Sequence, residues 1–278
     1  MPNLIKSQGN LTEFNPAKVR GTLQRAGATP EVIAAVLRAV EARIVDGMTT
    51  KELFSIIRSE LKRADRPTAQ RYNLRDGLLR LGPAGFRFEQ YVAAVLSAYQ
   101  YETVIPEHDL VGLCVNHEID VVARKDGKTV MIEAKFRNRF GDSVNLKDVM
   151  STWARFGDLL DGAAAGKCER FDECWVVTNG RFSESALQFG TCKGMHLVGW
   201  GPGEHSFARL VDHAFVYPIT VLDYLRLYEI EKLSDAGLML CSDVAGRDAA
   251  ALAEDLRLDP ARVRRMVTDC RRLVAIPK

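Results

Sequence analysis

The stretch His117-Glu118-Ile119-Asp120-Val121-Val122-Ala123-Arg124-Lys125-Asp126-Gly127-Lys128-Thr129-Val130-Met131-Ile132-Glu133-Ala134-Lys135-Phe136 decides the fold. Two apolar, β-branched runs flank Asp126-Gly127, a strong signal for a two-residue hairpin turn. A tight turn pairs Lys125 with Lys128, and counting outward sets Asp120 opposite Glu133. Side chains alternate along a strand, so Lys135 shares the face of Glu133. Two carboxylates opposed across a strand pair destabilise a sheet unless positive charge lies between them. Two acids and a lysine therefore converge on one side of an otherwise apolar hairpin, a grouping that suits a divalent cation. Hard oxygen ligands favour Mg²⁺ or Mn²⁺ over zinc. The plainer reading is a Glu133–Lys135 surface pair on an edge strand, since Glu-x-Lys alone is a weak signal.

The order Asp120…Glu133-x-Lys135 resembles the PD-(D/E)XK nucleases. Phe88-Glu89-Gln90-Tyr91-Val92 opens a helix upstream, and Trp175-Val176-Val177-Thr178-Asn179-Gly180 is a strand ending in a turn downstream. With these flanks, residues 82–200 look like the Mrr-type restriction-endonuclease branch of that superfamily. The resemblance implies a mixed sheet flanked by helices and metal-dependent hydrolysis of DNA phosphodiesters. It further implies that Asp120, Glu133 and the carbonyl of Ala134 hold the metal. Lys135 would orient water or stabilise phosphate charge, and Glu89 would support the site from its helix. No proline precedes Asp120, a departure from the motif's name. An acid in the first turn of a helix is also favoured by the helix dipole alone, which is the competing account of Glu89.

The 278 residues suffice for one large domain or several small ones, and a 47% hydrophobic content is ample for packed cores. A net charge of +2 does not announce nucleic acid, so any basic surface must be local. The six cysteines form no Cys-x-x-Cys pair and read as reduced, mostly buried thiols. No signal peptide or long apolar run is visible, which predicts a cytoplasmic protein with no membrane partner.

Residues 1–80 read as a separate unit. Leu4–Gln8 and Leu11–Phe14 suggest a short hairpin around Gly9-Asn10. Asn15-Pro16 starts a helix, a second is expected over 30–46, Thr50 caps a third, and a fourth covers 66–80. Leu81-Gly82-Pro83-Ala84-Gly85 reads as a linker. The pattern, with Ile5-Lys6, Gly9, Phe14-Asn15-Pro16-x-Lys18-Val19, Thr50 and Tyr72-x-x-Arg75, resembles the ATP-cone of ribonucleotide reductases and of their gene repressor. It implies an allosteric site for ATP or dATP. Lys6 and Lys18 would meet phosphates, Ile5, Phe14 and Val19 would line the base pocket, and Thr50 would add a polar contact. Ser7 and Gln8 depart from the family, and Ser7 removes one phosphate-binding cation. Without that resemblance, the segment reads as an α-rich dimerisation domain with these apolar residues in its core.

Between these ends, a helix over 86–99, a strand over 101–105, a long helix over 144–160 and a last buried strand at 196–200 are expected. Lys147 and Arg155 on the long helix are candidates to face DNA, and His196 is expected to pack. Residues 217–278 read as a small helical domain whose last helix begins at Asp259-Pro260. Its Arg262, Arg265 and Arg272 are candidates for phosphate contacts or for packing through their stems.

The fold class expected is mixed α/β: an ATP-cone at 1–80, a nuclease domain at 81–216 and a helical domain at 217–278. The function expected is a Mg²⁺- or Mn²⁺-dependent endodeoxyribonuclease, a homo-oligomer regulated by ATP or dATP. The alternative is a nucleotide-responsive DNA-binding regulator whose nuclease fold is inactive.

Overall fold

Asn15 caps the first helix as its residue type favours: its side chain accepts from the Ala17 N–H at 2.9 Å, and Pro16 fills the first helical position. The structure is a computed structural model that describes residues 2–5, 10–82, 88–139, 141–201 and 206–275. Strands β1 (Asn3–Ile5) and β2 (Leu11–Glu13) pair antiparallel, with Ile5 opposite Leu11. Lys6, Ser7, Gln8 and the expected turn glycine Gly9 lie outside the described residues, as does the linker from Pro83 to Gly85. Helices α1 (Pro16–Arg25), α2 (Pro30–Glu41), α3 (Thr50–Ala64), α4 (Arg66–Tyr72) and α5 (Leu74–Leu79) follow. Leu4, Phe14, Leu23, Val36, Ile57 and Leu61 are among the residues of their shared core.

Three boundaries differ from expectation. The second helix stops at Glu41 rather than near 46, because Gly47 turns with φ +81° and its N–H bonds the Asn3 carbonyl of β1. Thr49, not Thr50, caps α3. Its hydroxyl accepts from the Glu52 N–H, and the Glu52 carboxylate accepts from the Thr49 N–H in return. The helix expected over 66–80 breaks at Asn73, whose amide donates to the Val221 carbonyl at 3.1 Å while its oxygen accepts from Arg58 at 3.1 Å.

Residues 81–216 form a compact unit by themselves. In chain order it contains α6 (Phe88–Ala98), β3 (Glu102–Val104), β4 (Leu110–Val111), β5 (Asn116–His117), β6 (Val121–Lys125), β7 (Lys128–Lys135), β8 (Ser143–Val144) and α7 (Leu146–Ala164). Then come β9 (Glu173–Thr178), β10 (Arg181–Phe182), α8 (Glu184–Lys193), β11 (His196–Val198) and α9 (Phe207–Ala214). Five strands make a mixed sheet in the order β11-β9-β7-β6-β3. β3, β6 and β7 run antiparallel to their neighbours in turn, whereas β7, β9 and β11 are parallel. The parallel pairs are joined through α7 and α8, as parallel strands require a crossover. One face packs Val122, Met131, Cys174 and Val176 against Val149, Phe156 and Leu159 of α7. The alternate residues Trp175, Val177 and Val198 lie against Val92, Val95 and Leu96 of α6. This is the expected mixed α/β class.

The C-terminal segment supplies α10 (Leu227–Asp235), α11 (Cys241–Ala245), α12 (Ala249–Asp255) and α13 (Pro260–Val274). It does not stand apart. Residues 217–278 pack with residues 1–80 into the second compact unit. Arg80 donates to the carbonyls of Thr220 at 2.9 Å and Leu225 at 2.6 Å, and Thr220 donates to the Gly77 carbonyl at 2.7 Å. A Cβ on Gly77 would come within 2.8 Å of Val221 Cγ1 and 3.0 Å of its backbone nitrogen, so only glycine admits that approach. Of the six cysteines, Cys174, Cys241 and Cys270 are buried, Cys168 is half-buried, and Cys114 and Cys192 are exposed; all are free thiols. No described helix is long and apolar enough to cross a membrane.

Candidate active site

Asp126 and Gly127 both hold positive φ, 52° and 75°, which is the backbone a two-residue primed turn demands. The turn pairs Lys125 with Lys128, and the ladder then runs to Val121 opposite Ile132. Asp120 comes one residue beyond, beside Glu133, as the count from the turn predicts. It is tied there by the Ala134 N–H, which donates to Asp120 Oδ2 at 2.6 Å.

Glu133 is 3% exposed, and each of its oxygens meets a cation. Oε1 accepts from Lys135 Nζ, and Oε2 accepts from Arg155 of α7 at 2.9 Å. Arg155 therefore turns toward the acids of the sheet. Sequence marks it as a helix surface cation that could face DNA, and a charge over the acid-bearing face of β7 is the signal that ties it to the acids once α7 is placed. Lys147 is exposed.

Asp120 is the perturbed group. Burial first, and then the charge of Glu133, push its carboxyl up to about 6; the Ala134 hydrogen bond and Lys135 oppose the rise, and Glu89 adds to it. That effect of Glu89 sets it within electrostatic reach of Asp120 from the first turn of α6. The site thus gathers Asp120, Glu133 and Lys135 with Arg155, and Glu89 acts on it through its field.

A clamp holds the ends of the two central strands. Thr178 donates to the Lys135 carbonyl at 2.6 Å. Asn179 accepts from the Arg137 N–H at 2.7 Å and donates to the Arg137 carbonyl at 2.9 Å. Arg137 reaches Asp148 at 2.5 Å, in the capping box that starts α7. Among the described residues, no group of three or more His, Cys, Asp or Glu is gathered as a ready cation site. The oxygen donors present are the carboxylates of Asp120 and Glu133 and the backbone around Ala134.

His196 is 55% exposed at the sheet's edge, where it stacks on Trp175 with ring centroids 5.0 Å apart, so it packs at the rim rather than in a buried strand. In the other unit, Ile5 bridges to Thr49 just before Thr50, so β1 and the start of α3 meet. Phe14 and Val19 lie in the hydrophobic core, and Lys18 is exposed on α1. Arg262 is engaged by Glu229 and by the Tyr224 carbonyl. Arg265 lies over the Tyr224 ring, and Arg272 is exposed.

Comparison with known proteins follows the same division. Residues 83–199 match the Mrr catalytic family, described as Restriction endonuclease, and residues 217–274 match the AF1548-like C-terminal family. An uncharacterized protein of Archaeoglobus fulgidus is 34% identical over 164 residues, covering 59% of this chain and 88% of that protein. The crystal structure of AF1548, a protein of unknown function, superposes with a TM-score of 0.54 at 33% identity over 67% of this chain and 97% of that one. The chain belongs to the AF1548-like family. This family member also carries a segment 35% identical over 80 residues to the transcriptional repressor NrdR of Bordetella pertussis, with half of that protein's length covered. The expected joining of an ATP-cone to an Mrr-type nuclease domain is therefore met in this AF1548-like chain.

Proposed function

We propose that the chain is a divalent-metal-dependent endodeoxyribonuclease whose activity is set by ATP or dATP at its N-terminal ATP-cone, and that it works in the cytoplasm. The observation that carries the reading is the convergence of Asp120, Glu133, Lys135 and Arg155 at the end of the hairpin. The donor set fits a hard cation. Asp120 and Glu133 would hold it, with the Ala134 carbonyl, because along a strand a residue's N–H and C=O point to the same side and the Ala134 N–H points at Asp120. Such an ion supplies charge neutralisation and lowers the pKa of a bound water. Lys135 and Arg155 lie against the Glu133 oxygens, where they would offer positive charge to a phosphodiester as negative charge grows in its transition state. The clamp from Thr178 and Asn179 holds Lys135 in position. Similarity of the N-terminal region to a transcriptional repressor supports nucleotide control and keeps a second reading in view: a DNA-binding regulator with a silent site.

Plasmid DNA incubated with the purified protein in Mg²⁺ or in EDTA decides between them. Cleavage is expected in Mg²⁺ alone, and Asp120→Ala or Glu133→Gln should abolish it with DNA binding kept, since binding rests on phosphate contacts. Mg²⁺-dependent DNA binding without cleavage in any nucleotide state would favour the regulator.

A further inference from the structure

A second polar cleft lies in the unit built from residues 1–80 and 217–278, with a volume of about 210 Å³. Lys62, Arg66 and Gln70 line it from α3 and α4, and Asp223, Tyr224 and Arg265 line it from the C-terminal segment. Three cations thus face one carboxylate. Their partners are shared. Arg58 and Lys62 both pair with Asp223, and Arg66 (3.0 Å) and Arg265 (3.9 Å) both draw on the buried Asp269. The guanidinium groups of Arg66 and Arg265 lie 5.5 and 3.9 Å from the Tyr224 ring centroid, so the ring braces both.

A ligand suited to the cleft therefore brings negative charge. The space equals that of about seven waters at roughly 30 Å³ each, and falls short of the roughly 300 Å³ where drug-sized sites begin. Converging arginines and a lysine suit a phosphate better than a lone carboxylate, because they can share its several oxygens.

We infer that this cleft binds a small phosphate ester, about the size of ribose 5-phosphate. Its phosphate lies against Lys62, Arg66 and Arg265. Because the walls come from both ends of the chain, the ligand clamps the N-terminal helices to the C-terminal segment. None of its contacts belongs to the Asp120 site or to the Lys6 and Lys18 set, so the inference stands apart from the nuclease reading.

Calorimetric titration and thermal melts of the full chain test it, with ribose 5-phosphate set against ribose at matched ionic strength. Ribose 5-phosphate should bind and raise the melting midpoint, and ribose should do neither. Lys62 is half-exposed, so Lys62→Gln keeps the fold, and it should weaken binding about tenfold. No binding beyond that of ribose, or wild-type affinity in Lys62→Gln, would overturn the inference.

Discussion

Asp120 is held where its charge is unwelcome. Its carboxyl sits at about 6 rather than at its ordinary value near 4, first through burial and then through Glu133. Between those values the folded protein keeps a proton that the unfolded chain has lost. Stability therefore falls as pH rises through that window, and above about 6 the ionised group weighs on the fold. Asp120→Asn should then raise the melting midpoint of the metal-free protein by about 2–4 °C at pH 8, by roughly half of that near pH 5, and abolish cleavage. Calorimetry in EDTA at the two pH values reads this directly, and a lower midpoint at pH 8 would sink it. The acids were legible because a two-residue turn fixes register and a strand repeats every second residue. Arg155 was not, because its partner is chosen by how α7 lies across β7, and no local pattern records that.

At the scale of elements, the strand ends matter more than the strands. β7 and β9 pair up to Lys135 and Thr178, and just beyond that point the side chains of Thr178 and Asn179 tie the two backbones together. Asn179→Ala removes two hydrogen bonds to Arg137 and should cost about 1–3 kcal/mol in a urea melt. If the clamp positions Lys135, cleavage should also slow at saturating DNA with little change in KM. A drop in stability alone would make Asn179 a plain turn residue. Helix α13 separates two kinds of arginine. Arg262 neutralises Glu229, which is 2% exposed, so Arg262→Gln strands a buried charge and should cost about 3–5 kcal/mol without altering the salt dependence of DNA binding. Arg272 is exposed, and Arg272→Gln should leave the melt within about 0.5 kcal/mol. If Arg272 meets a phosphate, the log–log salt slope should flatten by roughly 0.9; equal slopes for the two variants would exclude that contact. The helices themselves were readable from caps and periodicity. The break at Asn73 was not, because the partner that diverts its side chain, Val221, is 148 positions away.

For the whole molecule, what sequence left hidden is that the first and last segments are one body. Each has its own apolar faces, and nothing local states that Gly77 admits Val221 or that Arg80 caps three distant carbonyls. Arg80→Ala should lower the stability of that body by about 2–4 kcal/mol. A chain ending at 216 should melt in two steps, with the step belonging to residues 1–80 shifted lowest. Calorimetry showing an unchanged midpoint for those residues would mean that the N-terminal segment stands alone. The same arrangement sets an order in synthesis. At about 5–20 residues per second, roughly 7–28 s pass on the ribosome between the emergence of Arg80 and that of its partner Thr220. Within that interval the unit from 81 to 216 has every residue it needs, while its sibling waits with one wall missing. Newly made protein should therefore pass through a form that carries a finished Asp120 site before the body expected to sense nucleotides has closed.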